Sequence, residues 1–146
     1  MVCGANPIVP TKEYIENKFR DLQGEAFFAF PEIEDPVRVE LSNWPVIIGD
    51  INHDRTKDVL LPYIALGPTR QDSFYVFYLV MLNNGEDLIP VEHFFSGGRE
   101  SELMTQFRSV NDSGVIIGKQ IPGVINKYPD EFDISYLFDG KELVAP

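Results

Sequence analysis

Residues 73–82 read Ser-Phe-Tyr-Val-Phe-Tyr-Leu-Val-Met-Leu and run directly into Asn83-Asn84-Gly85. The nine residues 74–82 carry no charge and are aromatic, branched or long apolar side chains. Such side chains suit a pleated, buried surface, so the stretch predicts a central β-strand. Asn-Gly is a hairpin signal, because the tight two-residue turn requires positive φ at its central residues. Residues 88–95 (LIPVEHFF) supply the returning strand, and Gly97-Gly98 is expected to break it.

Strand signals continue on either side of this hairpin. Residues 59–66 predict a strand, with Pro62 favouring an edge position or a bulge. Residues 44–49 read as a short buried strand entered through Pro45, and 37–41 alternate as a half-buried strand does. Residues 26–30 are short and aromatic, and Pro31 and Pro36 bracket an acidic turn at 32–35. Downstream, 101–110 fits either two helical turns or a strand, and the strand is preferred. Further strands are expected over 115–121, 132–138 and 141–144, separated by turns at 112–114, 128–130 and Asp139-Gly140.

One segment differs. After Thr11, a good N-cap, Tyr14, Ile15, Phe19 and Leu22 fall at helical spacing with charges between them, and Gly24 offers a stop. The expected fold is therefore α+β: one N-terminal amphipathic helix, about 12–23, packed on a mainly antiparallel, meandering sheet. Residues 1–10 read as a flexible leader, and 11–146 as one domain. No internal repeat of 20–50 residues is visible, which excludes a propeller or solenoid.

Composition narrows the function classes. Twelve Lys and Arg stand against 23 Asp and Glu, a net charge of −11 in 146 residues. That balance argues against sequence-independent nucleic-acid binding and against docking on anionic lipid. The longest apolar run is far short of the roughly 20 residues of a membrane span. A single cysteine, Cys3, rules out an intrachain disulfide, and two histidines are too few for a His-rich metal centre.

The clearest chemistry lies at residues 49–58, Gly-Asp-Ile-Asn-His-Asp-Arg-Thr-Lys-Asp. Counting Asp50 as position 1, oxygen-bearing side chains fall at 1 (Asp50), 3 (Asn52), 5 (Asp54) and 9 (Asp58). Thr56 at position 7 offers its backbone carbonyl. Calcium is a hard ion that takes six to eight oxygens, and alternate residues of a tight loop can point such ligands inward. An EF-hand is a poor match: position 12 is Leu61 rather than Glu, and Pro62 opposes an exiting helix. The alternative is an Asx-rich turn whose side chains cap their own backbone, with Arg55 or Lys57 relieving the repulsion. Of the two, the purely structural turn is preferred, and in either case the role is structural rather than catalytic.

The loop resembles the Asp-rich hairpin of FG-GAP and VCBS-type segments, roughly G-D-x-N-x-D-G-x-x-D followed by an apolar strand. Gly49, Asp50, Asn52, Asp54 and Asp58 match, as does Val59-Leu60-Leu61. The resemblance extends loosely to Gly67 and the strand from Phe74, about 35 residues. It departs where Arg55 replaces the Gly that takes positive φ, which puts strain and a cation beside the ion. Single loops of this kind also occur in small exported bacterial proteins of unknown function, which this chain resembles. Cys3-Gly-Ala-Asn-Pro is similar to the first residues of mature bacterial lipoproteins, which implies a lipid anchor through Cys3. Without lipidation at Cys3, a cytoplasmic location is expected.

Other candidates carry less. His93 follows Glu92 and is read as an edge-strand residue rather than a general base. His53 is expected to face solvent. Cys3 lacks the electropositive pocket of a reactive thiol, and Ser96-Gly97-Gly98-Arg99 lacks the spacing of a phosphate loop. The expected function is a non-catalytic, exported or envelope-associated binding or structural accessory domain. The alternative is an acidic inhibitor or immunity-type protein steered to a basic protein partner. A small hydrolase using Asp50 or Asp54 ranks last, because no base, nucleophile and oxyanion set can be assembled.

Overall fold

A computed structural model describes residues 9–23, 38–66, 74–125 and 130–146. The aromatic segment at 26–30, the acidic turn at 32–35, the Gly24 stop, Cys3 and most of the 1–10 leader lie outside the described residues, as does most of the turn at 128–130.

The helix forms as its spacing predicts, at α1 (Lys12–Gln23), burying Ile15, Phe19 and Leu22. Thr11 caps it: the Tyr14 N–H donates to Thr11 Oγ1 (3.1 Å), and the Ile15 N–H donates to the Thr11 carbonyl (3.0 Å). We expect Thr11→Ala to destabilise the fold by about 1 kcal/mol and Thr11→Ser to be nearly neutral. Urea unfolding of the two variants checks this, and equal effects would remove the cap's significance.

Nine strands follow among the described residues: β1 (Arg38–Leu41), β2 (Ile47–Gly49), β3 (Asp58–Leu66), β4 (Phe74–Asn83), β5 (Leu88–Gly98), β6 (Leu103–Val110), β7 (Ile116–Pro122), β8 (Phe132–Phe138) and β9 (Leu143–Val144). All described pairings are antiparallel. The fold is thus α+β and mostly β, but the strands divide into two sheets instead of one. The first runs β1-β3-β4-β5 with β2 also on β3, and the second runs β6-β7-β8-β9.

The division follows from side-chain alternation in β3 and β4. Val59, Leu61, Tyr63, Ala65, Phe77, Leu79 and Met81 face α1 and pack on Ile15, Phe19 and Leu22. The alternate residues Leu60, Tyr78 and Val80 pack on Phe107, Ile116 and Leu143 of the second sheet. Both faces of the first sheet are covered, so its central strands are apolar at nearly every position rather than at every second one.

Pro62 lies inside β3, opposite Tyr78, and not on an outermost strand. Its position still obeys the donor rule. β2 pairs with β3 up to Leu60 and β1 takes over at Tyr63, so Pro62 sits where the outer edge changes partner. Its carbonyl accepts the Ser42 N–H there (3.1 Å), and its missing N–H removes no ladder bond to β4.

The β4–β5 hairpin forms, but not through the two-residue turn. Gly85 alone takes positive φ (95°), and residues 84–87 make a four-residue loop closed by the Asn84 N–H to the Asp87 carbonyl (3.1 Å). Asn84 Oδ1 accepts the N–H groups of Glu86 and Asp87, which favours the longer loop. Asp87 then anchors the helix: the Tyr14 hydroxyl donates to Oδ1 (2.6 Å) and Lys18 Nζ to Oδ2 (2.9 Å). Those two donors hold the Asp87 carboxyl below its ordinary range. β5 also runs through Gly97-Gly98 instead of ending before them.

Candidate metal centre

The loop joining β2 to β3 curls back on itself because its side chains replace the missing backbone partners. Asp50 Oδ1 accepts the Asp54 N–H (3.2 Å), and Oδ2 accepts the Arg55 N–H (2.8 Å). Asp54 Oδ1 accepts both the N–H and the hydroxyl of Thr56. Arg55 takes the left-handed conformation at φ 69°, as its place at the usual Gly position requires, and His53 does so as well at φ 62°. Each such residue stores about 1 kcal/mol or more that glycine would not.

The curl brings Asp50, Asp54 and Asp58 together. One carboxylate oxygen from each lies within 4.8 Å of the others. Two oxygens on opposite sides of an ion bound at about 2.4 Å are about 4.8 Å apart, so the triad has the span of a hard divalent cation's shell. Asp58, at the start of β3, is 1% exposed. Its Oδ2 accepts the Ile51 N–H (3.0 Å) and its Oδ1 the Asn83 N–H (2.8 Å). Burial nevertheless pushes its carboxyl up to about 6, with a smaller contribution from the charges of Asp54 and Asp50. Asp54 behaves oppositely. Burial opposes its ionisation, but hydrogen bonds from Thr56 and Asn52 outweigh that and hold it below the ordinary range.

Two further observations bear on a cation. Asn52 Oδ1 is buried and accepts no hydrogen bond, an orphaned oxygen at the third position of the ligand spacing. Second, neither Arg55 nor Lys57 forms an ion pair among the described residues. The internal salt bridge that would neutralise the three carboxylates is therefore not made. The converged donors are three carboxylates, a hard and anionic set that could hold a divalent cation.

Neighbouring turns frame the loop. Gly114, in the β6–β7 turn, has φ 78°, and a Cβ there would stand 2.9 Å from the His53 ring and 3.3 Å from the Asp50 carbonyl oxygen. His53 is exposed, as expected. Asn83, at the end of β4, closes the other side. Its carbonyl lies 2.7 Å from the Thr56 hydroxyl, whose single proton is shared between this carbonyl and Asp54 Oδ1, and its Nδ2 donates to the Lys57 carbonyl (3.1 Å).

No protein family, curated protein or solved structure matches this chain.

The remaining candidates form no second centre among the described residues. His93 lies on β5, and its Nδ1 shares a 2.7 Å hydrogen bond with the buried Tyr63 hydroxyl. Burial pushes that phenol far up, so Tyr63 keeps its proton. Glu92 faces the other way, where Oε2 accepts the Leu143 N–H (2.8 Å). Ser96 lies in β5, its hydroxyl donating to the Thr105 carbonyl (2.5 Å) rather than cradling an anion. An open cavity of about 440 Å³ lies between the first half of α1 and the β1–β2 connection. Its described lining is mainly apolar and offers Lys12 and Glu16 as its ionisable groups. No helix among the described residues is long and apolar enough to cross a membrane.

Proposed function

We propose that the protein is a non-catalytic, exported or envelope-associated accessory domain whose 50–58 loop is completed by calcium. Asp50, Asn52, Asp54 and Asp58 supply side-chain oxygens, and Thr56 its carbonyl. The supporting observation is the converged triad of Asp50, Asp54 and Asp58, which forms no ion pair with a cationic side chain among the described residues. The orphaned oxygen of Asn52 points the same way. A bound calcium supplies charge neutralisation and cross-linking, which is structural chemistry. An affinity on the order of 10⁻⁴–10⁻³ M, as in extracellular modules, fits a loop with two strained residues and suits a compartment rich in calcium. Anchoring through Cys3 belongs to the same proposal.

Thermal unfolding in EDTA and in millimolar calcium, repeated on Asp54→Ala, tests it. Calcium at a hundredfold excess over its dissociation constant should add about 2.7 kcal/mol to the wild-type chain. The mutant should gain almost nothing. No calcium response, with Asp54→Ala still destabilising, would leave a purely structural Asx turn.

A further inference from the structure

β2 pairs with β3 only as far as Leu60 and β1 only from Tyr63 onward, so the connection 42–46 leaves the sheet edge between them. Two hydrogen bonds pin it there: the Ser42 N–H donates to the Pro62 carbonyl and the Trp44 N–H to Ser42 Oγ, each at 3.1 Å. The space between this connection and the first half of α1 is the cavity of about 440 Å³, a size within the range of about 300–1,000 Å³ typical of small-molecule sites. Ile15 and Leu61, each 2% exposed, lie at its buried side, and half-buried Trp44 stands in its wall. Leu41 and Ile48 also line it and keep apolar surface in solvent. The opening carries charge of both signs. Lys12 and Glu16 line it from α1, one helical turn apart, and neither forms an ion pair among the described residues. Their order is the weaker one for pairing along a helix, where Glu ahead of Lys is the stabilising arrangement. Lys12 also stands at the positive end of the helix dipole, where a cation is disfavoured. The Lys12 ammonium thus does little for the helix and is open to an anionic group at the cavity.

We propose that this cavity binds a small apolar zwitterion, an amino acid or dipeptide with aromatic or branched side chains, its carboxylate at Lys12 and its ammonium at Glu16. The lining sets the apolar body: a ring or branched chain placed against Trp44, Ile15 and Leu61 leaves water for an apolar wall. The rim sets the charges. Neighbouring Cβ atoms one helical turn apart are about 5–6 Å from each other, and the two ends of a dipeptide are at most about 7 Å apart, so one small molecule reaches both. Charge complementarity also excludes simpler amphiphiles. A fatty acid would satisfy Lys12 but set its carboxylate beside Glu16, on a chain whose net charge is −11. An apolar amine would satisfy Glu16 and set its charge beside Lys12. A zwitterion is neutral overall and meets each side chain with the opposite sign. The site shares no residue with the 50–58 loop, so it stands or falls independently of calcium.

Trp44 is the sole tryptophan of the chain, so its emission reports on the cavity directly. The full chain in EDTA is titrated with phenylalanine, leucine and leucylphenylalanine, with titration calorimetry as a second readout. At least one should give a saturable change. For that ligand, the N-acetyl form lacks the ammonium, the amide lacks the carboxylate, and the N-acetyl amide lacks both. Each single loss should weaken binding about fivefold, the upper end for an exposed ion pair. Lys12→Gln should weaken the free zwitterion about fivefold and leave the amide unchanged. Glu16→Gln should do the same with the N-acetyl form unchanged. Lys12 is exposed and Glu16 half-buried, so neither substitution opens the core. No saturable response to any of the three ligands would overturn the proposal. An N-acetyl amide bound as tightly as the free ligand would also overturn it, in favour of a cleft for a segment of another chain. Laurate bound more tightly than every zwitterion, with Glu16→Gln strengthening it, would overturn it in favour of a fatty-acid site.

Discussion

Replacing Phe77 by alanine should lower the unfolding free energy by about 3–5 kcal/mol, the range for deleting a buried aromatic ring. Phe77 is 5% exposed in the middle of β4, with β3 on one side and β5 on the other. Its ring stacks on Tyr63 at 5.5 Å and meets Phe95 at 5.3 Å, and it belongs to the layer between the first sheet and α1. The void left by alanine is walled by strand residues that are themselves paired, so little collapse can relieve it. Phe95→Ala is the matched control. That ring is 50% exposed on the edge strand, and its loss should cost about 1 kcal/mol or less. Urea unfolding followed by Trp44 fluorescence and far-ultraviolet circular dichroism measures both. A Phe77→Ala effect no larger than that of Phe95→Ala would contradict the central placement of β4.

That placement was legible because β4 carries nine apolar residues in a row and a turn signal at its end. The helix was legible from the spacing of Ile15, Phe19 and Leu22 and from Thr11. The second sheet was not read, although a trace of it is present. Leu60, Tyr78 and Val80 alternate with Leu61, Leu79 and Met81, and a sheet with one wet face has no use for both sets. A short connection such as 99–102 serves equally to continue one sheet or to cross to another, so turn chemistry alone does not distinguish them. At the site, the 1-3-5-9 spacing found Asp50, Asn52, Asp54 and Asp58 because ligand alternation is local. Asn83 escaped notice because Asn-Asn-Gly reads as a turn, and its contacts to Thr56, Lys57 and Asp58 span 25 to 27 positions. The idea that Arg55 or Lys57 neutralises the loop also failed for a local reason. The left-handed conformation of Arg55 goes with an N–H donated to Asp50, and no ion pair of either cation to the carboxylates follows.

The unneutralised carboxylates should give the calcium-free protein an inverted pH response. Asp58 has a folded pKa raised to about 6, chiefly by burial. A group raised in this way contributes stability fully below its unfolded pKa, about 3.9, and loses it as pH rises through the folded value. Between pH 4 and 7 the chain in EDTA should therefore lose on the order of 2–3 kcal/mol through Asp58. Glu92, also raised by burial, acts in the same direction. Asp54 and Asp87 are lowered, so they contribute above their unfolded pKa and withdraw that contribution only as pH falls below about 4. The expected curve is a maximum near pH 4–5 with a decline towards neutrality, where many proteins are near their most stable. Calcium should reverse the decline, because a cation binds the ionised carboxylates and competes with their protons. Melting curves from pH 4 to 7.5, in EDTA and in millimolar calcium, should diverge progressively above pH 5. Carbon-13 NMR of the Asp58 carboxyl should show its titration near 6 in EDTA and a shift to lower pH with calcium. If stability in EDTA is flat across this range and Asp58 titrates near 4, its carboxylate is already neutralised without an ion, and the case for a cation at this loop collapses.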